Sequence, residues 1–149
     1  MPAARLDVES LSAGYGPTRI IQGLSFNVEA GERLAILGRN GMGKTTLLAT
    51  LMGLSTRHHG SVKVDDIDVT ARRTSARAHL GVGYVPQTRD IFRSLTVEEN
   101  LSTGLKGRPR AALEEAYVMF PRLGERRRNL GSQLSGGEQQ MLSMARTLL

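Results

Sequence analysis

Several residue types are absent or scarce in this 149-residue sequence, and each absence excludes a class of protein. Cysteine is missing, so neither a disulfide framework nor a metal site with thiolate ligands is possible. Tryptophan is missing and aromatic residues make up only 4%, which leaves no stacking platform for single-stranded nucleic acid. The longest apolar runs reach four or five residues, far short of a membrane span.

The N-terminal residues and the net charge narrow the possible classes of protein further. Residues 1–10 show no charged-then-apolar leader, so we expect a soluble intracellular protein rather than a secreted one. The net charge is +6, and the most basic segment, residues 122–128, reads RLGERRR. A net positive charge raises the question of nucleic acid or acidic lipid. We interpret this segment as a solvated basic helix end, and we expect no nucleic-acid partner.

Residues 38–46 read GRNGMGKTT and have the spacing G-x-x-x-x-G-K-T of a phosphate-binding loop. They follow the apolar run 34–37, which predicts a buried strand, and precede a helical pattern over 47–52. Glycines let successive N–H groups point into one cavity, and a helix N-terminus adds a positive dipole end. Lys44 can reach the terminal phosphates, and the Thr45 hydroxyl can ligate Mg²⁺. The segment predicts binding of a nucleoside triphosphate.

Strand patterns flank this loop on both sides. Alternation of apolar and polar residues predicts strands over 6–11 and 20–28, with a turn cluster at 12–17 between them. Residues 60–69 predict a hairpin around an Asp-Asp turn at 65–66. We interpret the acids of that hairpin as turn residues rather than magnesium ligands, because they do not end a wholly apolar strand.

Two single residues near these strands have two open interpretations each. Tyr15 lies in the turn between the first two strands, where an aromatic ring could stack on a base or simply be half-buried. Residues 81–85 predict a second buried strand, and Gln87 follows its end. Open α/β sheets place ligand contacts at strand ends, but a solvated loop glutamine is the alternative.

Helical patterns dominate the rest of the chain. Thr96 with Glu99 predicts a capping box at the start of a helix that reaches about residue 104. Further helices are predicted over 71–80 and 110–120. The predicted core of this helical region includes Met119, Phe120 and Leu123.

A last helix opens with residues 134–140, which read LSGGEQQ. Ser135 is a suitable N-cap, and two glycines beside a helix N-terminus predict a second anion-binding segment. A plain helix cap is the alternative. The apolar face of this helix is predicted from spacings of three and four to be Met141, Met144, Ala145 and Leu148.

The two glycine-rich segments together, in this order, carry a family resemblance. The whole chain resembles the ATP-binding cassette (ABC) ATPases, the nucleotide-binding subunits of transporters. Residues 38–46 look like the Walker A loop, and residues 134–138 look like the family signature, with Glu138 where the commonest form has glutamine. Gln87 falls at the glutamine loop and Tyr15 at the adenine-stacking aromatic.

This resemblance implies an α/β fold with a P-loop NTPase-like core, an antiparallel β subdomain and a helical subdomain, incomplete at the C-terminus. It divides the chain into residues 1–70 (antiparallel β part and Walker A core), 71–132 (glutamine loop and helical subdomain) and 133–149 (signature and helix). It implies ATP and Mg²⁺ as cofactors, with Thr45 and Gln87 on the metal. The residues implied to bind them are Tyr15, Gly38, Asn40, Gly41, Gly43, Lys44, Thr45, Thr46, Gln87, Ser135, Gly136, Gly137 and Glu138.

The resemblance also implies partners. Two such ATPase subunits would meet head to tail, so that ATP on the Walker A loop of one is capped by Ser135 and Gly137 of the other. Transmembrane permease subunits would bind the helical subdomain at the inner face of the cell membrane, and a solute-binding protein would act indirectly. Residues 84–92 and 95–101 look most like the branched-chain amino-acid importers, and the urea and short-amide importers look similar.

Three groups that the family uses after its signature helix have no counterpart in residues 1–149. These are the Walker B aspartate, the catalytic glutamate and the switch histidine. The sequence stops at Leu149 in a helical pattern without Gly, Asn or Pro to end it, so we expect a truncated domain that does not hydrolyse ATP alone. Two other classes remain as alternatives: a soluble ABC protein acting on nucleic acid or ribosomes, and a non-catalytic binding or regulatory module.

Overall fold

The computed structural model describes residues 4–149, which divide into two compact units. The first unit ends at Val82, and the second comprises Gly83–Leu149. The domain boundaries expected from the resemblance stay a prediction, and each unit is described by itself below. No helix within residues 4–149 is long and apolar enough to cross a membrane.

A four-stranded antiparallel sheet forms the first unit, with the strand order β2-β1-β3-β4. Its strands are β1 (Leu6–Tyr15), β2 (Thr18–Val28), β3 (Thr56–Val64) and β4 (Ile67–Asp68). The strands predicted over 6–11 and 20–28 and the hairpin at 65–66 are confirmed. The predicted turn cluster was too long, because β1 continues to Tyr15, which pairs with Thr18 across a two-residue turn. β1 buries Val8, Leu11 and Ala13. Val8 and Leu11 are three residues apart, and the register shift between them, with Ser10 at φ +47°, interrupts the alternation of the strand.

Gly60 lies inside β3, where the structure allows no other residue. Its φ is +86°, and a Cβ built there would lie 2.4 Å from the backbone oxygen of Glu9. The neighbouring strand β1 shifts register between Glu9 and Ser12, so its backbone comes close at this position. A glycine is therefore required for β1 and β3 to pair over their whole length.

Helix α1 (Lys44–Leu51) follows the glycine-rich loop, and α2 (Thr74–His79) lies near the end of the unit. Leu47 of α1 joins the buried cluster on the sheet. That cluster consists of Val8, Leu11, Ala13, Ile21, Leu47, Val62, Val64 and Val69.

Two predicted buried strands are not strands. Residues 34–37 have no regular secondary structure, and residues 81–85 contain a turn at Gly81 but no strand. Leu34 and Leu37 expose 51% and 89% of their surface, although Ile36 packs partly against the sheet cluster. The physical reason is that within residues 4–149 only β1–β4 form a sheet, so these segments have no neighbouring strand with which to form a ladder.

Four helices build the second unit, and their common core contains no strand. They are α3 (Val97–Ser102), α4 (Leu113–Met119), α5 (Pro121–Glu125) and α6 (Gly136–Leu148). Short 3₁₀ turns lie at Arg110–Ala112 and Gly131–Gln133. The buried core comprises Val97, Leu101, Leu105, Ala112, Leu113, Ala116, Leu123, Leu134, Leu142, Ala145 and Leu149.

The predicted apolar face of α6 was wrong in three of its four residues. The residues packed in the core are Leu142, Ala145 and Leu149, which share one face at spacings of three and four. Met141, Met144 and Leu148 expose 37%, 40% and 57% of their surface. Contacts with α3, α4 and α5 determine which face is buried. Met119 is likewise exposed, whereas Leu123 is fully buried and Phe120 packs beside it.

Candidate nucleotide-binding segments

The glycine-rich loop leads directly into α1, as predicted. Gly43 immediately precedes the helix with φ +89°, and a Cβ there would lie 3.0 Å from Cγ2 of Ile20. A left-handed backbone without a side chain is what lets the chain turn into the helix at this point. The Lys44 ammonium donates to the carbonyl oxygens of Gly38 at 2.6 Å and Arg39 at 2.8 Å. The lysine therefore lies across its own loop.

The first turn of α1 is open to an anion. It contains no acidic residue, and Gly43 offers no side-chain cap. Among residues 4–149, no acceptor takes the backbone N–H groups of Gly43, Lys44, Thr45 or Thr46. Unpaired N–H groups at the positive end of a helix, with an ammonium group beside them, fit a phosphate group.

The fit to Mg²⁺ depends on fewer groups. Thr45 is exposed at the surface, while Thr46 is buried and its carbonyl accepts from Thr50 at 2.6 Å. In the described part of the chain, no cluster of three or more acidic or histidine side chains could hold a metal ion. Mg²⁺ bound here would take a single protein hydroxyl together with phosphate oxygens and water, which suits its preference for oxygen ligands.

An apolar cavity of about 260 Å³ lies beside the loop within the first unit. Side chains of β2, of residues 36 and 37 and of α1 provide most of its wall. The lining residues are Ile20, Ile21, Gln22, Leu24, Ile36, Leu37, Met42, Gly43, Lys44 and Leu47.

The two single residues of the sequence prediction are both at the surface. Tyr15 is the last residue of β1 and is 50% exposed. Gln87 is an exposed residue of the second unit, in a turn where Arg89 N–H donates to the Pro86 carbonyl at 3.1 Å. Their roles toward a base and a metal ion stay predictions.

The second glycine-rich segment forms the N-terminus of α6. Ser135 Oγ accepts from Glu138 N–H at 3.3 Å, and a Glu138 oxygen accepts from Ser135 N–H at 2.8 Å. These two bonds are a complete capping box, as the spacing of Ser and Glu allows. Gly136 and Gly137 are exposed, and a Cβ at Gly137 would meet nothing within 4 Å. The first turn of α6 is thus open to a ligand.

The structure surrounds Glu138 with arginines that the sequence reading missed. Nε of Arg122 lies 3.1 Å from one Glu138 oxygen, and Nε of Arg126 lies 3.9 Å from the same oxygen. The N–H group of Ser135, its hydroxyl and these cations hold the pKa of Glu138 below its ordinary value. At the same helix end, Arg89 donates to the side-chain oxygen of Gln139 at 3.3 Å. No local signal could have found these pairs, because the partners are at least 12 residues apart in the chain.

The free energy of unfolding of the second unit is expected to decrease when the pH is lowered below about 4.5. The pKa values of Glu99 and Glu138 lie below their ordinary value of 4.5, chiefly because the backbone N–H groups of Thr96 and Ser135 donate to them. A carboxyl group with a lowered pKa stabilises the folded state above its unfolded pKa, and this contribution is lost as the pH falls through the folded pKa.

Urea unfolding across a series of acidic pH values measures this loss. Glu138→Gln keeps an acceptor for Ser135 N–H but does not titrate, so its stability should change less steeply with pH. Glu114→Gln is the matched control, because Glu114 is an exposed carboxylate of the same unit that accepts no hydrogen bond from residues 4–149. Equal acid slopes for wild type and Glu138→Gln would contradict the expectation.

Comparison with known proteins identifies the family. Residues 21–149 match the family described as "ABC transporter". The "Probable branched-chain amino acid transport ATP-binding protein LivF" of Archaeoglobus fulgidus is 36% identical over 143 residues, covering 93% of this chain and 61% of that protein. The "Lipopolysaccharide export system ATP-binding protein LptB" of Escherichia coli strain K12 is 35% identical over 151 aligned positions, covering 97% and 63%.

A solved structure agrees with these relatives. The structure of a bacterial Atm1-family ABC exporter with ATP bound matches 98% of this chain and 27% of its own chain, with a TM-score of 0.80 and 31% identity. The chain has the ABC ATPase fold, with an antiparallel sheet, a glycine-rich loop before α1 and a helical unit. The chain belongs to the ABC transporter family. It spans 61% and 63% of the lengths of the two curated relatives.

Proposed function

We propose that this chain binds ATP with Mg²⁺ as the nucleotide-binding part of an ABC transporter. The observation that carries the proposal is the open first turn of α1 with the Lys44 ammonium folded over its loop. Gly38, Asn40, Gly41, Gly43, Lys44 and Thr46 would surround the phosphates. The Thr45 hydroxyl and Gln87 would ligate Mg²⁺, and Tyr15 would stack on the adenine. Bound ATP would supply the phosphates on which the chemistry takes place, and the chain's own groups would bind and orient it.

The second part of the proposal is a head-to-tail pair of ATPase subunits. The N-terminal turn of α6, formed by Ser135, Gly136, Gly137 and Glu138, would meet the nucleotide held by the other subunit. This arrangement would couple nucleotide binding to subunit closure, since the phosphates would be bound by both subunits. Permease subunits would hold the pair at the cytoplasmic face of the membrane.

We further propose import of branched-chain amino acids as the transported function. The resemblance of residues 84–92 and 95–101 and the likeness to LivF support it. The likeness to LptB, whose description names lipopolysaccharide export, supports a different substrate at nearly the same identity. Urea or short-amide import is the further alternative. Loss of leucine uptake on disruption of the gene would support the first, and unchanged uptake would contradict it.

The test of nucleotide binding is a calorimetric titration of the chain with MgATP, with phosphate release followed in the same sample. We expect binding without turnover by this chain, because no residue among 1–149 matches the family's catalytic glutamate. The complete domain would be an ATPase. Absence of binding would contradict the proposal for this chain.

A nucleic-acid function is the second candidate, and the net charge of +6 favours it. Arg127 and Arg128 are exposed and add to this charge. Binding through phosphate contacts weakens steeply with salt. RNA binding with a steep salt dependence would support this candidate, and its absence at low salt would remove it.

A further inference from the structure

Glu138 places a negative charge at the end of α6 that would meet a phosphate. A carboxylate near a helix N-terminus stabilises the helix, and here it also completes the capping box with Ser135. The same charge repels an anion approaching the N–H groups of Gly136 and Gly137. The two requirements conflict at a single side chain.

Two arginines of the second unit lie beside the Glu138 carboxylate. Arg122 on α5 and Arg126, which follows α5, both point a guanidinium nitrogen at the same Glu138 oxygen. The Glu138 side chain is only 13% exposed, whereas those of Arg122 and Arg126 are 51% and 42% exposed. The carboxylate is thus enclosed between its cap and the cations, while the cations remain in solvent.

Other charged groups at this helix end are few. Arg122 also donates to Glu125 on its own helix. Arg89 lies at the same helix end, where a Cβ built on Gly136 would be 3.2 Å from its guanidinium. With Glu138 neutralised by Arg122 and Arg126, the N–H groups of the first turn and Arg89 leave a positive potential for an anion.

We infer that Arg122, assisted by Arg126, is a positioning residue of the signature segment: its charge offsets that of Glu138, so that the α6 N-terminus can be capped by a carboxylate and still attract the phosphates of a nucleotide. This inference rests on the proposed function, in which that helix end meets a nucleotide. The Arg122 side chain is half exposed, so solvent screens its pair with Glu138 and the pair contributes little to stability. The effect of Arg122 should therefore be on anion affinity rather than on folding.

The experiment is a charge cycle on the isotope-labelled chain, titrated with inorganic tripolyphosphate at low salt. The amide resonances of Gly136 and Gly137 report binding at α6, and those of Gly41 and Gly43 report binding at the phosphate loop in the same spectra. The variants are Arg122→Gln, Glu138→Gln and the double variant. Arg110→Gln is the matched control, because it breaks an ion pair with Glu98 elsewhere in the same unit.

Arg122→Gln should weaken tripolyphosphate binding at α6 by about two- to fivefold, the scale of a charge near a helix end. Glu138→Gln should strengthen it by a similar factor, since glutamine keeps the cap without the charge. The double variant should return close to wild type, and Arg110→Gln should match wild type. All differences should shrink as salt is added.

Three outcomes would overturn the inference. Arg122→Gln could bind as wild type does, or the double variant could remain as weak as Arg122→Gln, which would indicate a purely structural role. The Gly136 and Gly137 resonances could also fail to respond in wild type. Failure of the proposed function would be seen separately, because the amide resonances of Gly41 and Gly43 would then not respond to tripolyphosphate.

Discussion

Replacing Arg77 by methionine is expected to lower the free energy of unfolding of the first unit by about 3–5 kcal/mol. Arg77 is 4% exposed, and its guanidinium donates to four backbone carbonyls, those of Thr50, Leu51, Thr70 and Arg72. Burial of the charge lowers the pKa of Arg77. Methionine would fill part of the volume but leave these carbonyls without their charged donor, and a buried acceptor left without a donor destabilises the folded state.

The location of Arg77 gives this loss a functional meaning. Leu51 is the last residue of α1, and the loop with Lys44 lies at the opposite end of the same helix. A cation that binds the final carbonyls of a helix also interacts favourably with the helix dipole. Arg77 therefore holds the C-terminal end of the helix whose N-terminal end we propose to bind phosphate.

Urea unfolding followed by circular dichroism measures the change, and hydrogen exchange of the α1 amides assigns it to the first unit. Arg73→Met is the matched control, because Arg73 is an exposed arginine close in the chain. Its free energy of unfolding should stay within about 0.5 kcal/mol of wild type. If Arg77→Met lost no more than Arg73→Met, the structural role described for Arg77 would be wrong.

Replacing Lys44 by alanine is expected to weaken MgATP binding by about ten- to a hundredfold. The ammonium group now bonds to two carbonyls of its own loop, and a phosphate would become its stronger, charged partner. Loss of charge-assisted hydrogen bonds to an anion costs about 1.5–3 kcal/mol. Calorimetric titration of wild type and variant gives the ratio of dissociation constants directly.

A control must separate a local effect from a general loss of positive charge. Lys63→Ala serves this purpose, since Lys63 is a lysine of β3 in the same unit, outside the loop. It should bind MgATP about as wild type does, and both variants should unfold cooperatively. Unchanged affinity in Lys44→Ala would count against nucleotide binding by this loop.

Features that depend on residues three or four apart could be predicted from the sequence alone. The loop leading into α1, the capping box of Thr96 with Glu99 and the N-cap at Ser135 are all present in the structure. The hairpin at Asp65 also follows local chemistry, since Asp65 adopts φ +51° there. Each depends on the backbone near the residue itself, so no distant partner is needed.

Features that depend on a partner distant in sequence could only be decided by the tertiary structure. Segments 34–37 and 81–85 have the composition of strands, but a strand needs a neighbour, and none pairs with them within residues 4–149. Helix α6 has two candidate apolar faces, one that begins with Met141 and one that begins with Leu142. The residues of both faces recur at the same helical spacing. Only packing against α3, α4 and α5 determined that the Leu142 face is buried.

The amino-acid sequence by itself thus determined the family, the phosphate-binding loop and the two helix caps, because these depend on short-range spacing. Only the tertiary structure decided which arginines bind specific partners in the fold. Arg77 reaches the end of α1 from 26 residues away, and Arg122 reaches Glu138 from 16 residues away. A surface arginine cannot be told from a buried one in the sequence, because both are the same residue type. Only folding determines which groups each arginine contacts.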